Sequence, residues 1–401
     1  MSTQAQPARS HGWRIGRVGG TPVYIARSWP VIVVVLLAVV APTLTSSGRS
    51  LGFALLVAAC TGILLLVSVL VHEAAHALAA RARGHAVDRI VADVWGGHTV
   101  YDSTSVTPVT TAIVAAVGPL SNLVLALLSW LVQPLVGSDL LGSLLGASAY
   151  VNLFVGLFNL LPGLPLDGGQ IVSSLVWRAT GSKGTGLTAA GWLGRLVAVG
   201  SVLWFVGKPL YEGQQPTTLS LVWTGMIAFF LWRGATASIR AGRIHDATAG
   251  PVDSVLEPVL LVPGATPIAQ ADPAVTRAAA LPTSADAGRQ PVAAADLPAW
   301  VAATDAGGWP VGLVDPASVA GVPPERRSSV PVSAVVVAQP RGWVVALPPD
   351  AVLTDLVRVM SELELPVAVV VDEQSRRVRG LASAHRINEV VGAQLARRGR
   401  G

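Results

Sequence analysis

Residues 51–80 of the chain, LGFALLVAACTGILLLVSVLVHEAAHALAA, decide the fold. An apolar run of this length is predicted to form a helix that crosses a membrane, because the hydrocarbon core takes roughly 20 helical residues. Its only histidines and acidic side chains are His72, Glu73 and His76. Each charged group costs about 2.5 to 3.5 kcal/mol at the centre of a span, so these three side chains indicate a function there.

The pentapeptide His72-Glu73-Ala-Ala-His76 has the spacing of a zinc hydrolase. On a helix, positions i and i+4 share a face, so two imidazoles can bind one metal ion. Glu73 is one step around the helix and can accept a proton from water. Two other interpretations stay open: a chance match, and two histidines at a helix end that are solvated by interfacial water.

The composition is that of a membrane protein. Of 401 residues, 52% are apolar and only 13% charged, and the mean hydropathy is +0.57, far from the soluble average of about 25% charged residues. The net charge is +5, but the sequence has no basic stripe interleaved with aromatic residues of the kind that binds nucleic acid. We therefore predict no nucleic-acid partner. Cys60 is the only cysteine, which excludes a disulfide framework. Abundant Arg, Ala, Gly and Val indicate a bacterial source.

We predict six membrane-spanning helices, near 29–44, 51–80, 111–136, 140–161, 187–207 and 219–232. Arg14, Arg17 and Arg27 precede the first span, which by the positive-inside rule places the N-terminus in the cytoplasm. Six alternating spans return the C-terminus to the same side. The predicted location is therefore a bacterial cell membrane, multi-pass, with both termini cytoplasmic. The fifth span contains Arg195, which either snorkels or faces the bundle interior.

A small β-hairpin is predicted between the second and third spans. Its strands would be Val87–Val94 and His98–Ser105, joined by a turn at Gly96-Gly97. Such a hairpin could offer an edge to an extended substrate segment, or it could be an ordinary surface hairpin.

A catalytic zinc site needs a third protein ligand. Residues 159–169, NLLPGLPLDGG, provide a candidate in Asp167, because prolines break the helix there. Broken backbone at membrane depth is tolerated only where it is buried in protein or lines a wet cavity. The alternative is an interfacial turn or helix start that Asp167 caps.

The order of HEAAH at 72–76, GPLSN at 118–122 and the 159–169 segment resembles the site-2 protease family of intramembrane metalloproteases. The resemblance implies a helical membrane core, one Zn²⁺ per subunit and a transmembrane segment as substrate. By matching motif it also implies side-chain roles: zinc ligation by His72, His76 and Asp167, general-base catalysis by Glu73, and substrate or oxyanion contacts by Asn122 and Asn159. For the two asparagines, interhelical hydrogen bonding is the open alternative.

After about Ala247 the long apolar spans stop, and short Val-rich runs alternate with Pro, Asp and Gly. The second half of this region has a β-β-α-β-β-α order and resembles a tandem pair of CBS domains, with starts at Pro251 and Pro331. Such modules often bind adenine nucleotides, but Ser318 and Arg386 occupy the positions where an acidic residue usually holds the ribose. A regulatory or dimerising role is therefore favoured over a nucleotide site. Residues 273–297 are predicted to be a loop.

The predicted fold class is a multispanning α-helical membrane domain with a small β-hairpin, followed by an α/β cytosolic CBS-type pair. The predicted parts are a cytoplasmic N-terminal segment at 1–28, a transmembrane metalloprotease domain at 29–246 and a CBS-like regulatory pair at 247–401. The predicted function is cleavage of membrane proteins, such as a single-span anti-sigma factor, with a homodimer possible through the CBS pair. The alternatives are a CBS-containing transporter or channel, which should show repeat symmetry that this sequence lacks, and a catalytically silent scaffold.

Overall fold

The computed structural model describes residues 12–93, 96–101, 106–271 and 300–398. These form two compact units, one up to Arg243 and one from Ile244. The predicted loop at 273–297 and the first eleven residues of the predicted N-terminal segment lie outside the described residues. The boundary predicted at 246–247 lies three residues beyond the observed division and stays a prediction.

The first unit is built on long apolar helices. The described residues of this unit form eight helices in chain order: α1 Trp29–Ser46, α2 Leu51–Ala82, α3 Pro108–Val132, α4 Asp139–Asn159, α5 Asp167–Thr180, α6 Lys183–Val202, α7 Lys208–Tyr211 and α8 Thr218–Thr248. A π-helical turn at Leu203–Gly207 joins α6 and α7 into one segment. Six segments are long and apolar enough to cross a membrane, and they confirm the six predicted spans.

Among the described helices of eight or more residues in the first unit, α5 is the one that is too short to be a candidate span. It starts where Pro162 and Pro165 interrupt the chain after α4, since proline cannot continue a helix. It ends at Gly181, whose positive φ of 74° suits a left-handed C-cap. Helix α5 packs against α3 and α6, so its first turn lies within the bundle.

A four-stranded sheet accompanies the helices, with strands β1 Gly12–Val18, β2 Thr21–Ala26, β3 Val87–Asp93 and β4 Gly96–Tyr101 in that order. The hairpin of β3 and β4 confirms the prediction, but the turn position was wrong. Gly97 pairs with Ala92 and Gly96 with Asp93, so both glycines belong to β4. Residues 94–95 and 102–105 lie outside the described residues. The β1–β2 hairpin falls in the predicted N-terminal segment and was not predicted.

The second unit contains two sheets. Strands β5 Val259–Pro263, β6 Trp300–Thr304, β7 Pro310–Val314 and β8 Val336–Ala338 form one in that order. Strands β9 Val344–Leu347, β10 Val367–Asp372 and β11 Val378–Ser383 form the other, with β10 central. The helices of the unit whose bounds lie within the described residues are α9 Pro316–Ala320, α10 Leu353–Glu362 and α11 Ala384–Arg398.

The second unit is internally repeated, as the sequence predicted. The order from β8 to α11 is the predicted β-β-α-β-β-α. Both predicted repeat starts form 3₁₀ turns, Val252–Val255 after Pro251 and Val332–Val335 after Pro331. In each repeat both outer valines of the turn are buried, so the same local sequence packs in the same way twice.

Candidate metal centre

Two histidines and one aspartate meet inside the first unit. His72 and His76 lie one turn apart on α2, and Asp167 is the first residue of α5. The Nε2 atoms of the two imidazoles are 3.0 Å apart. Asp167 Oδ2 lies 3.0 Å from His72 Nε2 and 3.4 Å from His76 Nε2. Both histidines are buried, so the three donor atoms form a small triangle shielded from bulk solvent.

His76 is oriented by the backbone of α3. Its Nδ1 lies 2.6 Å from the carbonyl oxygen of Val114. A carbonyl can only accept, so Nδ1 carries the proton and donates it. In the neutral imidazole Nε2 then presents a lone pair to the centre of the triangle, as a metal ligand must.

His72 is oriented by a chain of buried side chains, and the chain fixes every amide in it. Asn152 Nδ2 donates to the carbonyl of Ser148, so its Oδ1 faces the other way and accepts from Ser68 Oγ at 2.7 Å and Asn122 Nδ2 at 2.9 Å. The Oδ1 of Asn122 therefore faces His72 Nδ1, at 2.5 Å, and accepts its proton. The lone pair of His72 Nε2 is thus directed to the triangle as well.

This arrangement suits a cation. Three electron-pair donors converge, and Asp167 Oδ2 is a buried atom that receives no well-formed hydrogen bond from the described residues. Such an arrangement is repulsive without a positive charge at its centre. A tetrahedral zinc ion with ligands at 2.0–2.1 Å places its donors about 3.3 Å apart, which matches the observed 3.0 to 3.4 Å. Two imidazoles and one carboxylate are also a donor set that zinc accepts.

Gly118 on α3 leaves the room that an ion needs. A Cβ atom added there would lie 2.7 Å from His72 Nε2 and in still closer contact with His76 Nε2. Any larger residue would therefore push between the donor atoms. The glycine of the predicted GPLSN motif is required by this close approach of α3 to the centre.

Glu73 is held beside the triangle by strand β4. Its Oε2 accepts a hydrogen bond of 2.8 Å from Thr99 Oγ1. Gly97 lies against the same carboxylate, because a Cβ there would be 2.7 Å from Glu73 Oε1. The four-stranded sheet thus positions the acidic side chain, and no bulkier residue than glycine fits at position 97.

Two cavities reach the centre. One of about 320 Å³ is lined by His72, Glu73, Asp167, Asn159 and apolar side chains that include Trp29, Phe154, Phe158 and Phe230. The other, of about 210 Å³, has a more polar wall that includes Glu73, His98, Thr99, Tyr101 and Gln170. Glu73 borders both cavities. The carboxylate of Asp93, whose Oδ2 lies 3.7 Å from His98 Nδ1, raises the pKa of His98.

The structure brings together four of the six residues singled out in the sequence: His72, Glu73, His76 and Asp167. Asn159 is in the wall of the first cavity, and its Nδ2 donates to the carbonyl of Val155. Asn122 is fully buried and both ends of its amide are engaged within the bundle, which favours the alternative of interhelical hydrogen bonding.

Sequence reasoning missed the residues that orient the centre, chiefly Ser68, Thr99 and Asn152. A signal existed for two of them, because Ser68 and Asn152 are polar side chains inside apolar spans. No signal marked Thr99, since its partner is Glu73 on a distant element.

Comparisons with known proteins agree with the resemblance. Residues 61–140 and 135–198 match the model of Peptidase family M50, the site-2 protease family, and these ranges contain all three predicted motifs. A protein of Synechocystis sp. named as a zinc metalloprotease is 32% identical over 242 residues, covering 58% of this chain and 61% of its own length. Rip3 of Mycobacterium tuberculosis, also named as a zinc metalloprotease, is 32% identical over 255 residues, covering 59% and 63%. The chain thus spans a little over three fifths of these relatives.

Two solved structures are similar to parts of the chain. The site-2 protease from Methanocaldococcus jannaschii aligns with 57% of this chain and 95% of its own, at 22% identity and a TM-score of 0.41. The CBS domain of a bacterial CNNM/CorC family Mg²⁺ transporter aligns with 43% of this chain and 94% of its own, at 14% identity and a TM-score of 0.26.

Proposed function

We propose that this chain is an intramembrane zinc endopeptidase that hydrolyses peptide bonds within or near transmembrane segments of other proteins. The observation that carries the proposal is the convergence of three electron-pair donors beside a buried glutamate, on a helix long and apolar enough to span a membrane. A transporter, a channel or a silent scaffold has no need for such a costly buried set. His72, His76 and Asp167 would hold the metal.

When bound, zinc polarises a carbonyl and lowers the pKa of water towards about 7. Glu73 serves as general base and then passes the proton to the leaving amine. Thr99 engages Oε2, which leaves Oε1 for proton transfer. The polar second cavity supplies water to Glu73 without crossing the apolar first cavity.

The first cavity accepts the substrate. Its aromatic and aliphatic wall suits a transmembrane segment, and Asn159 in that wall is placed to contact a substrate backbone. A helical segment hides its amides in hydrogen bonds, so it must unwind locally before cleavage. Strand β4 is an edge of its sheet beside Glu73, and an unwound segment can add to that edge as a further strand.

The proposed topology has both termini in the cytoplasm of a bacterial cell, with the CBS-like pair on that side. The substrate class is a single-span regulator such as an anti-sigma factor. The CBS-like pair regulates the protease and can associate two copies of the chain. An adenine nucleotide is its candidate ligand, but the basic Arg386 donates to Glu389 and offers no carboxylate for a ribose.

The test is cleavage of single-span reporters, bearing varied transmembrane segments, by the purified enzyme in liposomes. We expect Glu73→Gln to lower the cleavage rate by about 10² to 10⁴, the usual contribution of a general base. The matched control is Glu212→Gln, which alters an exposed glutamate paired with Lys208. A zinc chelator should abolish cleavage, and the product masses locate the cut.

Cleavage by Glu73→Gln at the rate of the wild type would refute the mechanism. Zinc content, measured by metal analysis on wild type and His76→Ala, separates a wrong function from a poorly chosen reporter. If the wild type binds one zinc ion that His76→Ala loses, but cleaves no reporter, the metal centre is supported and the proposed substrate class is refuted.

A further inference from the structure

Arg195 stands between two tryptophans on neighbouring helices. Its guanidinium carbon lies 4.7 Å from the ring centre of Trp192 on α6 and 4.8 Å from that of Trp232 on α8. Its Nη2 donates to Thr236 Oγ1 at 3.1 Å. The sequence left open whether Arg195 snorkels or faces the bundle interior, and the structure places it in this cage between α6 and α8.

The cage does not neutralise the charge of the guanidinium. None of the ion pairs among the described residues includes Arg195. Its Nε is buried, and the described residues offer it no acceptor. A guanidinium presents five donors and stays ionised in proteins. The threonine hydroxyl accepts from one of these donors, and the two rings cover the guanidinium. Its charge and several of its donors therefore have no partner among the described residues.

The surroundings of the cage have the composition of a membrane interface. About half of each tryptophan side chain is exposed, 50% for Trp192 and 47% for Trp232. Helix α8 is apolar up to Trp232 and then carries Arg233, with further arginines beyond it. Tryptophan and arginine concentrate at the membrane interface, so we place the cage near the boundary between hydrocarbon and phosphates, which Arg195 reaches from within its span by snorkelling.

We propose that the cage of Trp192, Arg195, Trp232 and Thr236 binds the phosphate of an anionic phospholipid. Guanidinium and phosphate form charge-assisted, bidentate hydrogen bonds, and the tryptophan rings hold the guanidinium plane in place. Arg233, exposed beside the cage, adds a second positive charge for the anionic headgroup. The bound lipid fixes the depth of α6 and α8 in the membrane.

The depth of α6 in the membrane matters for the metal centre because Leu164, three residues before Asp167, is hydrogen-bonded to α6. Its N–H donates to the carbonyl of Ala190 at 3.1 Å. Ala190 lies less than two helical turns from Arg195, so a lipid that holds this part of α6 at the interface also holds the segment that carries Asp167.

The test is native mass spectrometry of the purified full chain in detergent, titrated with phosphatidylglycerol, phosphatidylcholine or inorganic phosphate. We expect one tight site for phosphatidylglycerol, weakened about tenfold or more in Arg195→Gln, which is the loss of one charge-assisted pair. The matched control is Arg240→Gln, an exposed arginine further along α8, which should leave the tight site unchanged. Trp232→Leu keeps the charge, removes one wall of the cage and should weaken the site.

Three results would overturn the proposal. Phosphatidylcholine could bind as tightly as phosphatidylglycerol, which would mean that the headgroup charge is not recognised. Inorganic phosphate could displace the lipid at equal concentration, which would assign the cage to a free anion. If Arg195→Gln does not fold, unchanged lipid binding in Trp232→Leu overturns the proposal in its place.

Discussion

The two histidines of the centre are oriented by different hydrogen-bond acceptors, and the difference decides whether a substitution can remove the acceptor. His76 donates to a backbone carbonyl, so no side-chain substitution removes its acceptor directly. His72 depends on Asn122, which in turn depends on Ser68 and Asn152. Partners that fix the tautomer of a ligating histidine typically alter metal affinity by 10- to 100-fold.

Gly118→Ala should abolish metal binding without unfolding the bundle. The new Cβ would occupy the space between His72 Nε2 and His76 Nε2, whereas alanine is otherwise the better helix former. We expect zinc content to fall from one ion per chain to nearly none. Gly200→Ala on α6 is the control, because a Cβ there meets open space. Full zinc occupancy in Gly118→Ala would contradict the proposed ligand set.

Thr99→Val should slow cleavage and leave zinc content unchanged. Valine keeps the shape of threonine but loses the hydroxyl that donates to Glu73 Oε2, so the carboxylate is no longer held in place. We expect kcat to fall about tenfold or more at constant KM, the pattern of an interaction made in the transition state. Thr99→Ser restores the hydroxyl and should recover most of the rate. Equal rates for the valine and serine variants would show that the hydrogen bond is not used.

At the scale of elements, the sequence predicted the spans better than it predicted the sheet. An apolar run such as 51–80 has one stable form in a membrane, the helix that satisfies its own backbone. The β1–β2 hairpin was missed because its arginines, such as Arg14 and Arg17, indicated a cytoplasmic segment while also fitting an exposed strand. The Gly96-Gly97 turn was misassigned because glycine suits both a tight turn and a close approach. The approach of Gly97 to Glu73 depends on tertiary packing that no local pattern contains.

The predicted metal ligands also differ in whether a local pattern or tertiary packing brings them together. The i, i+4 spacing of His72 and His76 is a property of one helix and could be recognised in the sequence. Asp167 joins them only because α5 packs against α3, so its assignment rested on the family resemblance.

The stability of the sheet formed by β9, β10 and β11 should depend on helix α10. Leu353 and Leu356 are fully buried, and truncating such a side chain costs about 2 to 5 kcal/mol. We expect Leu356→Ala to speed hydrogen exchange of the β10 amides by about 30-fold or more. The control is Leu363→Ala, since Leu363 is 47% exposed. Unchanged exchange in Leu356→Ala would mean that the sheet is stable without α10.

At the scale of the whole molecule, six spans and the arginine distribution together predict which side the loops face. Arg81 lies in the last turn of α2 and Arg83 directly after it, whereas the connection between α7 and α8 at 212–217 has no basic residue. By the positive-inside rule we expect the end of α2 to face the cytoplasm and the 212–217 connection to face outward. The same alternation supports the proposed cytoplasmic position of the unit from Ile244 onward.

Cysteine labelling should verify this topology, because Cys60 is the only native cysteine. In a Cys60→Ala background, we expect Gln215→Cys to react with a membrane-impermeant maleimide in intact cells. Arg83→Cys should react only after the membrane is permeabilised. Both positions are exposed in the fold, so a difference in labelling reports the side of the membrane and not burial. Labelling of Arg83→Cys from outside would invert the topology and place the metal centre towards the outer face. The substrate would then have to be cut near its extracytoplasmic end, which the product mass in the cleavage assay detects independently.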